Sequence, residues 1–422
     1  MSRLHLRVLA ISAVILLSFH GPALGQATRI LKETGVNGGL VVHLGCGDGN
    51  LTAALRAGDS YLVHGLDTDA ERVAESRKFI RSKDLYGPVS VDMFDGRRLP
   101  YVDNLVNLLV ADRLGDVPME EVMRVLAPLG AAWVSGKKFV KPWPNEIDEW
   151  THFLHGADNN AVARDTVVGP PKRIQWIAGP MWSRNHEYSP TIYGGVSSAG
   201  RLFYVQDEGP IGFVDGRFPD KKSLVARDAF NGTLLWKRPM KSWYTSRDNW
   251  RSVPVATQRR FVAKDDKLYV TLGLGEPVSA LDGATGENVM TYEGTEEATE
   301  IIYAQGVLLV AINASAQADE AEGRKGIVAV DADSGDVLWR KEGIPTSFSL
   351  CSSGGRAFVA IDGKLVCLEL KSGKQRWQTP ELTLSGRKLF SLQFTPASDG
   401  YMLYRAPNQR MEKAIRETNT GK

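Results

Sequence analysis

The sequence predicts two folded units in series, an α/β unit around a parallel sheet and then an all-β unit built as a propeller. Three observations predict this. Between Leu40 and Val134 short apolar strands alternate with amphipathic helices. From about Trp150 onward the texture changes to short alternating strands separated by turns rich in glycine and aspartate. Within that second stretch one motif recurs, at glycine-to-glycine spacings of 54, 49 and 38 residues. The length of 422 residues fits this division, since one folded unit usually takes roughly 100 to 200.

The chain begins with Arg3 and Arg7, an apolar run from Val8 to Phe19, and the small residues "GPALG" before Gln26. That is the layout of a secretory signal peptide over residues 1–25, and it implies a periplasmic or extracellular product. The apolar run has 12 residues, short of the roughly 20 a membrane-crossing helix needs, so no integral span is expected after its removal. Losing Arg3 and Arg7 brings the 51 basic residues to 49, equal to the 49 acidic ones. A formally neutral protein has no global attraction to nucleic acid or to anionic membranes. The three cysteines, Cys46, Cys351 and Cys367, are too few for a disulfide framework or a metal cluster, and the last two read as small apolar residues in strands.

In the first unit, the strand Leu40 to Leu44 runs into a loop with Gly45, Gly47 and Gly49 and then the helix "LTAALRAG". The strand Tyr61 to Asp67 leads to the helix "AERVAESRKFIRSK". Further strands read at "VSVDM", "NLVNLLV" and "AAWV", with "MEEVMRVL" as the helix before the last. Glycines in such a loop let backbone approach a ligand, and the helix that follows offers free N–H groups to an anion. Asp67 closes its strand 18 residues beyond Gly49, where a carboxylate can accept both hydroxyls of a ribose. A nicotinamide fingerprint would have glycine at position 50, where this chain has Asn50.

The stretch "VVHLGCGDGNLTAAL" followed by "VHGLDTDAERVAESR" resembles the first two motifs of class I S-adenosylmethionine-dependent methyltransferases, over about residues 30–136. The resemblance implies a Rossmann-like fold with S-adenosylmethionine as the cofactor. Gly45, Gly47 and Gly49 would face its methionine and ribose part, Asp67 the ribose, and Asp95 in "DMFDGRRLPY" the adenine amino group. Three departures point to a truncated and degenerate member. His43 stands where the family has an acid, Pro128, Leu129 and Gly130 replace Pro-Gly-Gly, and the text after Val134 shows no further helix and antiparallel strand pair. No catalytic residue is assigned.

The recurring motif is "ARDAFNGTLLW", "ALDGATGENVM", "AVDADSGDVLW" and "CLELKSGKQRW". An acid stands four residues before each glycine, as in Asp228 and Gly232, Asp282 and Gly286, Asp331 and Gly335, Glu369 and Gly373. Four residues after the glycine come Trp236, Met290, Trp339 and Trp377. Each copy reads as a hairpin in which the acid and the Thr, Ser or Asn bond the turn, glycine takes positive φ, and an indole follows on the next strand. Spacings near 40 to 50 residues are those of a four-stranded blade. The array resembles the quinoprotein-type (PQQ-like) propeller repeat, also found in BamB-like outer-membrane assembly proteins. The expected organisation is a methyltransferase-like domain over 27–136, a linker and leading strand over 137–175 with Trp176 as its outer-strand indole, and four to five blades over 176–422.

In "DEWTHFLHGAD", His152 and His155 with Asp148 and Glu149 have the spacing of a ligand pair, but the continuation reads as a surface loop, and no metal site is expected. His186 reads as a loop hydrogen-bonding group. The quinone enzymes of the resembled family carry acids for calcium around the central channel and often adjacent cysteines. This sequence shows neither, so PQQ is not expected. The reading that follows is an exported propeller that binds a protein or a surface polymer. The other reading is an active S-adenosylmethionine-dependent methyltransferase whose propeller recognises the substrate. The final residues Glu417 to Gly421 begin the motif once more, which reads as a last blade lacking its outer strand. Either the chain is part of a longer product, or the strand near Trp176 completes that blade.

Overall fold

The computed structural model describes residues 21–167, 169–170, 174–182, 191–212, 221–243, 255–313, 325–380, 393–396, 401–405 and 413–417. The signal peptide expected at the start falls almost wholly, and His186 wholly, outside the described residues. The chain divides into a first unit through Pro144 and a second from Asn145, apart from the turn Phe230–Leu235, which groups with the first. The boundary therefore lies slightly beyond the expected residue 136.

The first unit is a six-stranded sheet in the order β3-β2-β1-β4-β5-β6. Its strands are β1 (Gly39–Leu44), β2 (Tyr61–Asp67), β3 (Val89–Met93), β4 (Val106–Ala111), β5 (Leu126–Val134) and β6 (Lys137–Val140). The first five run parallel. Helices α1 (Pro22–Thr34), α2 (Asn50–Ala54), α3 (Ala70–Ser82) and α4 (Met119–Val125) complete the unit. Period-two alternation divides the strands between two cores. Val41, Val63, Val91 and Val110 pack with Ile30, Val73 and Ile80, while Val42, Leu44, Leu66 and Leu109 pack with Val122 and Val125.

Two features depart from the sequence reading. The helix α1 starts inside the segment read as the cleavage region and buries Ala27, Ile30 and Leu31, an i, i+3, i+4 stripe; Pro22 opens it and Gly35, at φ 75°, closes it with its N–H on Leu31 O. After Val134 the chain does make an antiparallel strand, the exposed four-residue β6 beside β5. The sequence hides it because "GKKFV" has no buried face to pattern.

The second unit holds four four-stranded antiparallel sheets and one three-stranded sheet among the described residues. They are β7 (Ile192–Ser198), β8 (Arg201–Asp207), β9 (Lys222–Asp228) and β10 (Leu234–Pro239); then β11 (Phe261–Lys264), β12 (Lys267–Thr271), β13 (Val278–Asp282) and β14 (Asn288–Tyr292). The third set is β15 (Ala298–Ala304), β16 (Val307–Asn313), β17 (Lys325–Asp331) and β18 (Val337–Glu342). The fourth is β19 (Cys351–Ser353), β20 (Arg356–Ile361), β21 (Lys364–Glu369) and β22 (Gln375–Gln378), and the last is β23 (Gln393–Pro396), β24 (Tyr401–Arg405) and β25 (Lys413–Glu417). The first strands β7, β11, β15, β19 and β23 neighbour one another in succession, so they gather at a hub. Middle strands such as β16 are buried on both faces, as sheets stacked face to face require, while outer strands such as β18 are largely exposed. The propeller expectation holds. Cys351 and Cys367 are buried in β19 and β21, as expected.

The recurring turn forms as the motif predicts. Asp282 Oδ1 accepts from the N–H groups of Ala284 and Thr285, and Asp331 Oδ1 from those of Asp333 and Ser334. Asn231, Thr285, Ser334 and Ser372 each accept from the N–H two residues on. The acid's carbonyl takes the glycine N–H in three copies, at Gly286, Gly335 and Gly373. A bulge precedes the acid in the same three.

The tryptophan fastens one sheet to the next. Trp236 Nε1 donates to Gly283 O at 2.9 Å and Trp339 Nε1 to Leu370 O at 2.8 Å, each acceptor being the residue after the acid of the following sheet. Trp176, read as an outer-strand indole, does the same to Ala229 O at 3.0 Å, although residues 174–182 form no strand. Where the motif carries Met290 instead, the Tyr292 hydroxyl donates to Ala332 O at 2.7 Å and fills the same role. A Cβ on Gly373 would lie 2.5 Å from the Trp339 ring, so glycine is required there for close approach as well as for its φ of 66°.

Candidate functional site

In the first unit the strand order reverses between β1 and β4, and the glycine loop leaves the carboxyl end of β1 at that point. Gly45 N–H bonds Leu66 O, and the Gly47 N–H reaches Asp67 Oδ2 at 3.4 Å, while Asp69 N–H bonds Asp67 Oδ1 at 3.1 Å. The loop and Asp67 are thus brought together, with Asp67 buried beneath the loop rather than held out from it. Ser76 of α3 pins the loop from behind, its hydroxyl donating to Gly47 O at 2.6 Å. A Cβ on Gly49 would stand 3.1 Å from Ser76 Cα. The Cys46 thiol lies 3.9 Å from Asp67 Oδ2, and burial pushes it up, so it is a packed group rather than a nucleophile.

Asp95 follows Phe94, whose N–H bonds Asp67 O, so register carries it to the neighbouring strand end. It is exposed, and its Oδ1 accepts from the N–H groups of Arg97 and Arg98, which hold the carboxyl below its ordinary range. No hydrogen bond links it to the glycine loop among the described residues. His43 is buried with Nδ1 2.8 Å from the Thr52 hydroxyl. Burial lowers its pKa to about 4 against the pull of Asp112, Asp67 and Asp48, so the ring is neutral at pH 7. Asp112, just past β4, is a residue the sequence reading missed, although "LLVAD" ends a strand on an acid as "HGLD" does.

A second site lies at the hub. Residues 148–160, read from the sequence as a surface loop, instead run across the first strands of four successive sheets, and both histidines are buried. Ser197 of β7 donates its N–H to Trp150 O at 2.7 Å, and Ala263 of β11 donates to Thr151 O at 3.0 Å. Tyr303 N–H of β15 donates to His152 Nε2 at 3.1 Å, and Ser352 N–H of β19 to Ala157 O at 2.8 Å. Asn159 Nδ2 adds a bond to Leu350 O at 2.9 Å. Because Nε2 accepts, His152 carries its proton on Nδ1 toward the Thr151 hydroxyl, and burial lowers its pKa to about 3. His155 Nε2 meets Asp148 at 2.6 Å, and its ring stands edge-on to Trp150. Among the described residues no group of three His, Cys, Asp or Glu could hold a metal ion.

Against this segment stands a buried ion pair, Arg259 with Glu300. Burial raises the Glu300 carboxyl and Arg259 pulls it back. The guanidinium lies between the rings of Phe153 and Phe348, at 5.4 and 5.1 Å. Its Nε has no hydrogen-bond partner among the described residues. No local pattern announces this pair, whose members stand 41 residues apart.

Residues 220–411 match the family model described as outer membrane protein assembly factor BamB. No curated protein matches the chain in sequence. Among solved structures, BamB from Moraxella catarrhalis is similar at 14% identity and TM-score 0.35, over 58% of this chain and 67% of that one. A quinohemoprotein alcohol dehydrogenase from Pseudomonas putida HK5 is similar at 14% identity and TM-score 0.41, over 65% and 47%. Geranyl diphosphate C-methyltransferase from Streptomyces coelicolor A3(2) is similar at 18% identity and TM-score 0.25, over 26% and 44%. The chain spans about half the length of the methyltransferase structures it matches. The second unit is thus an array of antiparallel blades of which residues 220–411 match the BamB family model, and it is preceded by a mainly parallel α/β sheet.

Proposed function

We propose that the chain is an exported propeller that binds a protein or a surface polymer, with the methyltransferase-like unit as a structural companion that has lost its activity. The observation that carries this reading is the array itself, in which one turn and one fastening repeat from sheet to sheet and give a rigid scaffold. Two further points support it. Asp67 is engaged beneath the glycine loop, and neutral His43 stands where the resembled family places a carboxylate near a cationic cofactor. S-adenosylmethionine is made in the cytoplasm, so an exported enzyme would lack supply. The neutral charge balance supports a partner other than nucleic acid. Against a quinone with calcium stand the pairing of Glu300 with Arg259 and the bonds that tie residues 148–160 to the first strands.

Calorimetric titration of the chain from Gln26 with S-adenosylmethionine tests the companion role, and no binding heat is expected. A one-to-one complex would favour the second reading, an active methyltransferase whose propeller presents the substrate, which the meeting of the glycine loop and Asp67 supports. Residues 1–30 fused to a reporter active only outside the cytoplasm should give signal, and activity confined to the cytoplasm would overturn export.

A further inference from the structure

We propose that the hub of the second unit is a peptide-binding site, that residues 148–160 are its resident occupant, and that a turn-forming segment of a partner protein takes the same seat. The proposal rests on the reading of this unit as a binding module. The occupant is held as a peptide ligand is held. Four backbone N–H groups, one from the first strand of each of four sheets, point into the seat and are met by Trp150 O, Thr151 O, His152 Nε2 and Ala157 O. The resident segment turns on itself, with the Thr151 and His152 N–H groups both on His155 O, and presents its acceptors one to each strand. His152, Phe153 and Asn159 are the anchors here, and Phe153 rests on the Arg259 guanidinium.

Two observations indicate that the resident segment is an imperfect occupant. His155 of the segment adopts a positive φ of 68°, a strained conformation for a residue with a Cβ that a glycine at that turn would relieve. The side chain of Arg259 is only 6% exposed, yet its Nε donor meets no acceptor among the described residues with the segment in place. A segment that offered a carbonyl or carboxylate to that nitrogen, without the strained turn, would compete with the resident one. The ligand class is therefore a turn-forming peptide carrying an acceptor side chain beside an aromatic residue.

A labelled peptide of residues 147–161 tests this against the full chain and against a full-length His152→Ala, Asn159→Ala variant, which loosens the resident segment. The variant should bind the peptide at least tenfold more tightly than the parent. Hydrogen exchange should show the amides of Ser197, Ala263, Tyr303 and Ser352 exposed in the variant and protected again on binding. Equal binding of a scrambled peptide, or binding that leaves those four amides unchanged, overturns the proposal. Should the variant fail to fold, a protease site placed at Ala163 of the parent decides: uptake of the labelled peptide after cleavage supports the proposal, and none at hundredfold excess overturns it. A chain that captures a partner while the four amides stay protected keeps the binding reading and removes the hub from it.

Discussion

His43 shows how one buried ring ties stability to pH. Its pKa falls from 6.5 in the unfolded chain to about 4 in the folded one. The unfolded state therefore binds a proton first as pH drops, and the stability present above pH 6.5 is lost between about 6.5 and 4, at about 1.4 kcal/mol per pH unit. His43→Gln should flatten this part of the profile. Urea melts of parent and variant at pH 7 and pH 5 check it, with a gap of about 2 kcal/mol closing in the variant. Asp67 gives a second prediction. Asp67→Ala strands the N–H groups of Gly47 and Asp69 and should cost about 1–3 kcal/mol in the same melts, whereas exposed Asp95→Ala should leave the midpoint where it is. The glycine loop and Asp67 were legible because consecutive residues set them. Asp112 was not, since its tie to His43 arises only when β4 pairs with β1.

At the level of elements, the recurring turn was legible where acid, hydroxyl and glycine act within five residues, as at Asp282 and Asp331, whereas the Glu369 carboxylate accepts from Arg376 instead. The gap at Met290 marks the limit of such reading. The motif predicts a lost fastening there, but the carbonyl of Ala332 accepts whatever donor arrives, and Tyr292 supplies it from two residues further along the strand. Tyr292→Phe should therefore destabilise the second unit by about 1 kcal/mol, the net worth of one hydrogen bond, with little change in packing. Adding Met290→Trp to that variant should recover part of the loss, and thermal melts of the two variants check both outcomes. The strand β6 and the helix α1 went unread for opposite reasons. The former is exposed on every residue, and the latter begins in text that also serves as an export signal.

Over the whole molecule, the division into a parallel sheet and a blade array was visible from periodicity, while the hub was not. Asn159 and Leu350 are 191 residues apart, and no local pattern announces such a pair. His152 and His155 attracted notice for their spacing, and the Asn and Gly that follow read as a surface loop, yet His155 and Asn159 take the positive φ of the turns by which the segment crosses the hub. The fastening between sheets has a further consequence, in time. Every donor lies upstream of its acceptor, by 53, 47, 40 and 31 residues for Trp176, Trp236, Tyr292 and Trp339. A chain made from its N-terminus at about 5–20 residues per second thus carries each finished sheet unlatched for several seconds, until the next turn emerges. Released chains that end after Lys264 should leave β7 to β10 open to brief proteolysis, and chains that end after Glu293 should protect them. The order of synthesis is then also the order of locking, with each sheet waiting on its successor.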